Sequence, residues 1–232
     1  MWSIFNLFYD LAGLLFPRLC NACGEPLLKA ERVICLKCGR DLPYTDFHLF
    51  VDNPLARQFW GKVPIHGATA LLYFNKGGKT QKMIHNLKYR QQTEIGLFLG
   101  RKIAEHLLNT EHYQDIDLII PVPLHPRKMR TRGYNQSQFL AEGIAEILGI
   151  QINNKTLIRK TATQSQTKKD RYTRFQNLQH TFKVVDKDAL QGKHILLVDD
   201  VVTTGATLES CATELQKYSV KKLSIAAAAY VR

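Results

Sequence analysis

The chain has 232 residues, 45% of them hydrophobic and 9% aromatic, which is enough to bury one ordinary core plus an appendage and excludes disordered and fibrous classes. Lys+Arg number 32 against 20 Asp+Glu, a formal charge of +12; phosphate compounds, nucleic acid and acidic membrane surfaces are therefore the partners to weigh against a merely soluble basic surface. Five cysteines, four of them crowded between Cys20 and Cys38, exclude a disulfide framework spanning the chain.

Residues 1–16 read as a short amphipathic helix. Ile4, Phe5, Leu7, Phe8, Leu11, Leu14, Leu15 and Phe16 make a wide apolar face, and Ser3, Asn6, Asp10 and Gly13 recur on the other. Asp10 and the lack of preceding basic residues fit neither a signal peptide nor a membrane span, so a cytoplasmic location is expected. The apolar face is expected to dock on the protein's own domain or on a partner chain. Peripheral contact with the cytoplasmic face of the inner membrane is the alternative.

Residues 17–62 form a cysteine module and linker. Cys20-x-x-Cys23-Gly24 and Cys35-x-x-Cys38-Gly39 are two copies of one pattern, and two such turns can aim four thiolates at one tetrahedral zinc. The glycine after each pair suits a turn whose amides point at the sulfurs. A redox dithiol and an iron-sulfur site are the competing readings. A closed four-thiolate site leaves no position for substrate, so its zinc is expected to be structural. Cys211, with Leu208, Ala212 and Leu215 at helical spacing, reads as a core residue. The segment 41–62 carries Pro43, Asp52, Asn53, Pro54 and Gly61 and reads as a linker, whose Phe47, Leu49, Phe50, Phe59 and Trp60 are free to pack against a neighbour.

Residues 63–232 read as a second domain. Ala68–Phe74 is expected as a strand, Thr80–Leu87 and Gly96–Leu108 as helices, Leu118–Val122 as a strand and Gln138–Leu148 as a helix. A long basic stretch runs from Arg159 to His180, too long for an ordinary connection. His194–Val198, Ala206–Lys217 and Leu223–Val231 follow as strand, helix and strand. Apolar runs alternating with amphipathic helices predict an α/β fold, a mainly parallel sheet covered on both faces.

The segment from Ile195 to Leu208 is the most informative. Four apolar residues lead to Asp199 and Asp200, and a turn of Thr203, Thr204, Gly205, Ala206 and Thr207 then opens a helix. Free amides, the positive helix end and the threonine hydroxyls suit a phosphate monoester, while the carboxylates stand about one ribose away, ready to accept from its hydroxyls. Neither a Walker lysine motif nor a G-x-G-x-x-G fingerprint is present. The plainer reading is a threonine N-cap with acids near the helix dipole.

Val198-Asp199-Asp200-Val201-Val202-Thr203-Thr204-Gly205-Ala206-Thr207 resembles the phosphoribosyl pyrophosphate (PRPP) motif of type I phosphoribosyltransferases. The wider chain is similar to the ComF (ComFC, GntX-like) family: the paired C-x2-C turns, Asn86-Leu87-Lys88-Tyr89-Arg90, Pro121-Val122-Pro123-Leu124-His125-Pro126-Arg127 and Arg132-Gly133-Tyr134-Asn135-Gln136 occur in that order and cover nearly its whole length. The resemblance implies a phosphoribosyltransferase-like sheet domain behind a small zinc module, in a protein of DNA uptake and natural competence. It makes Asp199 and Asp200 the ribose contacts and the threonine turn the 5′-phosphate site. It makes the segment with Arg127, Lys128, Arg130 and Arg132 the pyrophosphate loop, and Arg159, Lys160, Arg171 and Arg174 part of a flexible lid, with magnesium accompanying PRPP. Lys88 and Arg90 are candidate anion contacts or ordinary helix-end cations. The Pro121–Arg132 segment is longer, bulkier and more basic than the pyrophosphate loop of many catalytic relatives, so their acceptor specificity does not carry over. Two functions stay open: phosphoribosyl transfer to an unidentified nitrogenous acceptor, and a non-catalytic single-stranded-DNA binder working with DNA-uptake proteins. Lys88-Tyr89-Arg90, Arg132-Gly133-Tyr134 and Arg171-Tyr172-Thr173-Arg174-Phe175 place cations beside aromatic rings, as single-strand binding uses them.

Overall fold

The computed structural model describes residues 17–160 and 181–232. The helix expected over residues 1–16 and the lid residues Arg171 and Arg174 lie outside the described residues.

The apolar runs form a parallel sheet. Strands β1 (Gly67–Tyr73), β2 (Leu118–Pro121), β5 (His194–Val202) and β6 (Lys222–Tyr230) lie in the order β1-β6-β5-β2, each pair parallel, while β3 (Leu157–Arg159) and β4 (Phe182–Val184) make a separate antiparallel pair. Successive side chains leave a strand on opposite faces, and both faces are covered. Leu196, Val198, Ala226 and Ala228 join one core; Ile195, Leu197, Ile225 and Ala227 join the other. Helices α3 (Lys79–Tyr89), α4 (Glu94–Leu108) and α6 (Gln136–Leu148) pack on the first face. Helix α7 (Ala206–Leu215), with the buried Cys211, packs on the second. Each of these helices lies within two residues of its expected bounds.

Helices α4 and α6 cross in close contact. A Cβ built on Gly100 would stand 2.2 Å from the Leu140 carbonyl oxygen, and one on Gly143 would stand 2.2 Å from that of Leu97. Only glycine at both points permits this approach. Strand β5 runs to Val202, four residues past its expected end at Val198. β6 stays paired with it through Tyr230 while β2 stops at Pro121, so Asp199 and Asp200 lie inside a strand, beyond the end of one neighbour.

The linker is more ordered than its composition suggests. Buried Asn53 caps the short helix α2 (Pro54–Arg57), accepting from the Leu55 and Ala56 amides at 3.0 Å each; its Nδ2 donates to the carbonyls of Phe47 (3.2 Å), Phe50 (2.8 Å) and Ala68 (2.8 Å). Phe47 and Phe59 are buried against the second face, whereas Leu49, Phe50 and Trp60 stay exposed. The cysteine module, which contains the one-turn helix α1 (Leu36–Arg40), packs on α3. Cys20, Ala22, Ile34 and Cys38 share a core with Met83 and Leu87. Asn86 Nδ2 donates to Asn21 Oδ1 at 3.1 Å, and Lys79 pairs with Asp41 at 3.3 Å. Among the described residues, no helix is long and apolar enough to cross a membrane.

Candidate functional site

Asp199 and Asp200 stand at the carboxyl edge of the sheet, where parallel strands present ligands to the following loops. Asp199 Oδ1 accepts from the Ser137 hydroxyl at 3.1 Å and from the Asp200 amide at 2.8 Å. Burial, then the neighbouring Asp200 charge, pushes the Asp199 carboxyl up to about 7. Lys88 Nζ lies 3.0 Å from Asp200 Oδ1, with the two side chains only 20% and 13% exposed.

The phosphate turn follows directly. Gly205 takes a left-handed conformation (φ +74°) ahead of α7, whose N-terminus has no side-chain cap among the described residues, so its first amides can meet an anion. Thr203 and Thr204 are exposed, and Thr207 is half-buried. A hollow of about 40 Å³ is bordered by Asp199 and residues 201–208. The ordered linker braces this turn from behind: Gln58 Nε2 donates to the Thr203 carbonyl at 3.2 Å, and buried Phe59 closes under Gly205.

Two segments that the sequence singles out lock together around the carboxylates. In Asn86–Arg90, Asn86 reaches the cysteine module, the Leu87 carbonyl accepts from the Tyr134 hydroxyl, and Lys88 reaches Asp200. The Tyr89 ring lies 5.2 Å from the Arg132 guanidinium. In Arg132–Gln136, Arg132 Nη1 donates to Gln136 Oε1 at 2.6 Å, and Asn135 caps α6 while donating to the Val122 carbonyl at 2.9 Å. The basic residues Arg127, Lys128, Arg130 and Arg132 do not form a loop. Pro126–Arg132 is helix α5, begun by His125, whose Nδ1 accepts from the Arg127 amide at 3.1 Å, and ended by left-handed Gly133. Arg159 sits on β3, half-buried, with its guanidinium 5.3 Å from the Phe182 ring centroid. Burial lowers its pKa, with Cys211 and Asp199 acting the other way, and its Nε has no hydrogen-bond partner among the described residues. Lys160 and Arg90 are exposed.

Ser137 and Gln58 were not foreseen as site residues. Ser137 adjoins the Arg132–Gln136 segment, which is the one signal for it; Gln58 carries none, since only the fold brings the linker under the turn.

The four cysteines make a second centre. Their sulfurs all lie within 4.8 Å of one another, and Cys23 and Cys35 are 3.9 Å apart, close to the edge of about 3.8 Å of a tetrahedron with 2.3 Å metal–sulfur bonds. Amides aim at the sulfurs: Cys35 N at Cys20 Sγ (3.2 Å), Cys38 N at Cys35 Sγ (3.4 Å) and Glu25 N at Cys23 Sγ (3.5 Å). Burial opposes ionisation of Cys20, but amide donors led by Cys23 and Cys35 outweigh it and hold the thiol near about 6. The donor set fits a tetrahedral metal with no open position.

A phosphoribosyl transferase domain family matches residues 137–232, which hold Asp199, Asp200 and the threonine turn. Competence protein F of Haemophilus influenzae is 29% identical over 212 residues, covering 89% of this chain and 88% of that protein. DNA utilization protein YhgH of Salmonella typhimurium is 34% identical over 214 residues, covering 86% and 91%. The chain belongs to the ComF family. YhgH of Escherichia coli K12 is 30% identical over 197 residues, covering 84% and 82%. As a ComF chain it carries a type I phosphoribosyltransferase-like fold, with its parallel sheet and flanking helices joined to the four-cysteine module.

Proposed function

We propose that this ComF chain binds PRPP with magnesium, works in DNA utilization or uptake as its relatives' names describe for them, and transfers phosphoribose to a nitrogenous acceptor. The carrying observation is the join of a shielded Asp199–Asp200 pair to the uncapped N-terminus of α7 through the Thr203–Thr207 turn. In this reading the amides and hydroxyls of Thr203, Thr204, Gly205, Ala206 and Thr207 take the 5′-phosphate. Asp199 and Asp200 accept from the ribose hydroxyls. Arg127, Lys128, Arg130 and Arg132 meet the pyrophosphate from α5, with Lys88 and Arg90 as nearby anion contacts, and Arg159 and Lys160 stand with Arg171 and Arg174 in the lid.

The acceptor nitrogen bonds to the anomeric carbon as the bond to pyrophosphate breaks, and the electron pair leaves with pyrophosphate. The chain's work is to hold the two reactants in line and to neutralise the leaving group. The adjoining carboxylates offer the hard oxygen donors that magnesium takes; when bound, the ion supplies further charge neutralisation. The four thiolates hold a structural zinc, which folds the cysteine segment around them and does no chemistry. The protein works in the cytoplasm, and residues 1–16 supply its contact with a partner or a membrane surface. Pyrophosphate release from PRPP, assayed across purine, pyrimidine and amine acceptors, tests transfer: acceptor-dependent release supports it, and binding without release from any acceptor reduces the site to a regulatory one.

One observation favours single-stranded DNA as an additional ligand. Tyr89 is 61% exposed beside Arg132, next to the cations of α5, of which Arg127, Lys128 and Arg130 make no ion pair among the described residues. Ring and cations together suit base stacking with phosphate contact. Oligonucleotide affinity should then fall steeply with salt; salt-indifferent binding counts against it.

A further inference from the structure

We infer that Lys88 is a cation with two stations: the resident counter-ion of Asp200 in the free protein, and a ligand of the pyrophosphate once PRPP enters, so that Lys88 and a divalent metal compete for Asp200. The inference rests on the PRPP reading of the site.

The ion pair is not a solvated surface contact. Lys88 Nζ is 3.0 Å from Asp200 Oδ1, and both side chains are largely shielded, in a setting where an unpartnered charge is costly. Among the described residues, Asp200 pairs with this one ammonium. Any hard cation or ribose hydroxyl offered to Asp200 must take its place.

The main chain at Lys88 is fixed while its side chain is not. Tyr134 holds the Leu87 carbonyl, Asn86 is tied to Asn21, and Met83 and Leu87 are buried under the cysteine module. The lysine stem has four rotatable carbons and no second partner among the described residues. An ammonium released from Asp200 therefore stays over the site. Its neighbour Tyr89 contacts Arg132 at the end of basic α5, the face on which the pyrophosphate is placed. The incoming diphosphate brings the negative charge that the lysine gives up at Asp200. No isolated cation is left at either station.

The consequence is a pair of effects with opposite signs. Removing the ammonium leaves Asp200 uncompensated and tightens the empty site for a divalent cation. The same change strips a cation from the pyrophosphate and weakens PRPP. Isothermal titration of the full, zinc-loaded chain with Mn2+ alone, and then with PRPP in magnesium, reads both.

Lys88→Met should bind Mn2+ about tenfold more tightly and PRPP about tenfold more weakly than the wild type. Lys88→Arg, which keeps the charge, should leave the Mn2+ affinity unchanged. Thermal melts check folding, and Lys88→Gln replaces the methionine variant if that one fails to fold. An unchanged Mn2+ affinity on losing the charge, or Mn2+ and PRPP weakening together, overturns the inference. If PRPP binds neither wild type nor variant, the PRPP reading falls, and the Mn2+ comparison still upholds or overturns the competition for Asp200.

Discussion

Burial beside Asp200 raises the Asp199 carboxyl from an ordinary 3.8 to about 7, and this sets how the site responds to pH. The free protein holds a proton there between those values. Its contribution to stability is complete below 3.8 and is lost as pH rises through about 7. Ribose hydroxyls donate most strongly to the ionised form, so ligand binding favours loss of that proton below pH 7. PRPP affinity should therefore rise with pH, by up to about tenfold per unit below pH 7, and level off above it. Titration calorimetry across this interval, with Asp199→Asn as control, checks the slope; an equal slope in the control assigns it to another group. The residues of the turn and the carboxylate pair are legible in the sequence because they are contiguous. Lys88–Asp200 and Ser137–Asp199 are not, because the packing of α3 and α6 on the sheet decides which distant side chains meet at its edge.

Single elements link the two centres. Helix α3 carries the contacts of the cysteine module along its length and delivers Lys88 from its last turn. Replacing Cys38 with serine should lower the melting temperature, release the bound metal and weaken PRPP binding together; metal loss with full PRPP affinity would show that the module does not hold α3 in place. The linker supports the other side of the site. Asn53 makes five hydrogen bonds while buried, so Asn53→Ala should cost about 3 kcal/mol in urea unfolding, by stranding donors and carbonyls; a loss below about 1 kcal/mol would contradict that role. Pro43, Asp52, Asn53, Pro54 and Gly61 make residues 41–62 look like a plain connection, because burial of a satisfied asparagine leaves no periodic signal. The end of β5 is obscured similarly: two acids look like a strand terminus, yet β6 keeps pairing past them.

Across the whole molecule, charge and histidine segregate. Residues 121–174 carry eleven Lys and Arg against three acids, so +8 of the net +12 lies there; within that stretch, basic α5 borders the candidate site. At the amino edge of the sheet, His66 and His194 rings stand 5.3 Å apart; elsewhere, His48 and His106 rings stand 4.3 Å apart. Burial first, and in part neighbouring cations, lowers the pKa of all four. Their contribution to stability is present above the unfolded value of 6.5 and is lost as pH falls through the folded values. Asp199 acts in the opposite sense over an overlapping range, so the histidine effect is read in Asp199→Asn, which removes the opposing group. The melting temperature of that ligand-free variant should drop between about pH 7 and 5; a rise in it would contradict the packing of these rings. The α/β layering was legible from apolar runs and helical spacing, and the four-cysteine cluster from the repeated C-x2-C-G turns; how the module and linker grip the site was not, since those contacts are tertiary. The central claim is that Asp199 and Asp200, with the threonine turn, bind PRPP. Its most direct test is the thermal shift given by PRPP with magnesium: a raised melting temperature for the wild type and none for Asp199→Ala with Asp200→Ala is the predicted result, and an equal shift in the double variant would contradict it.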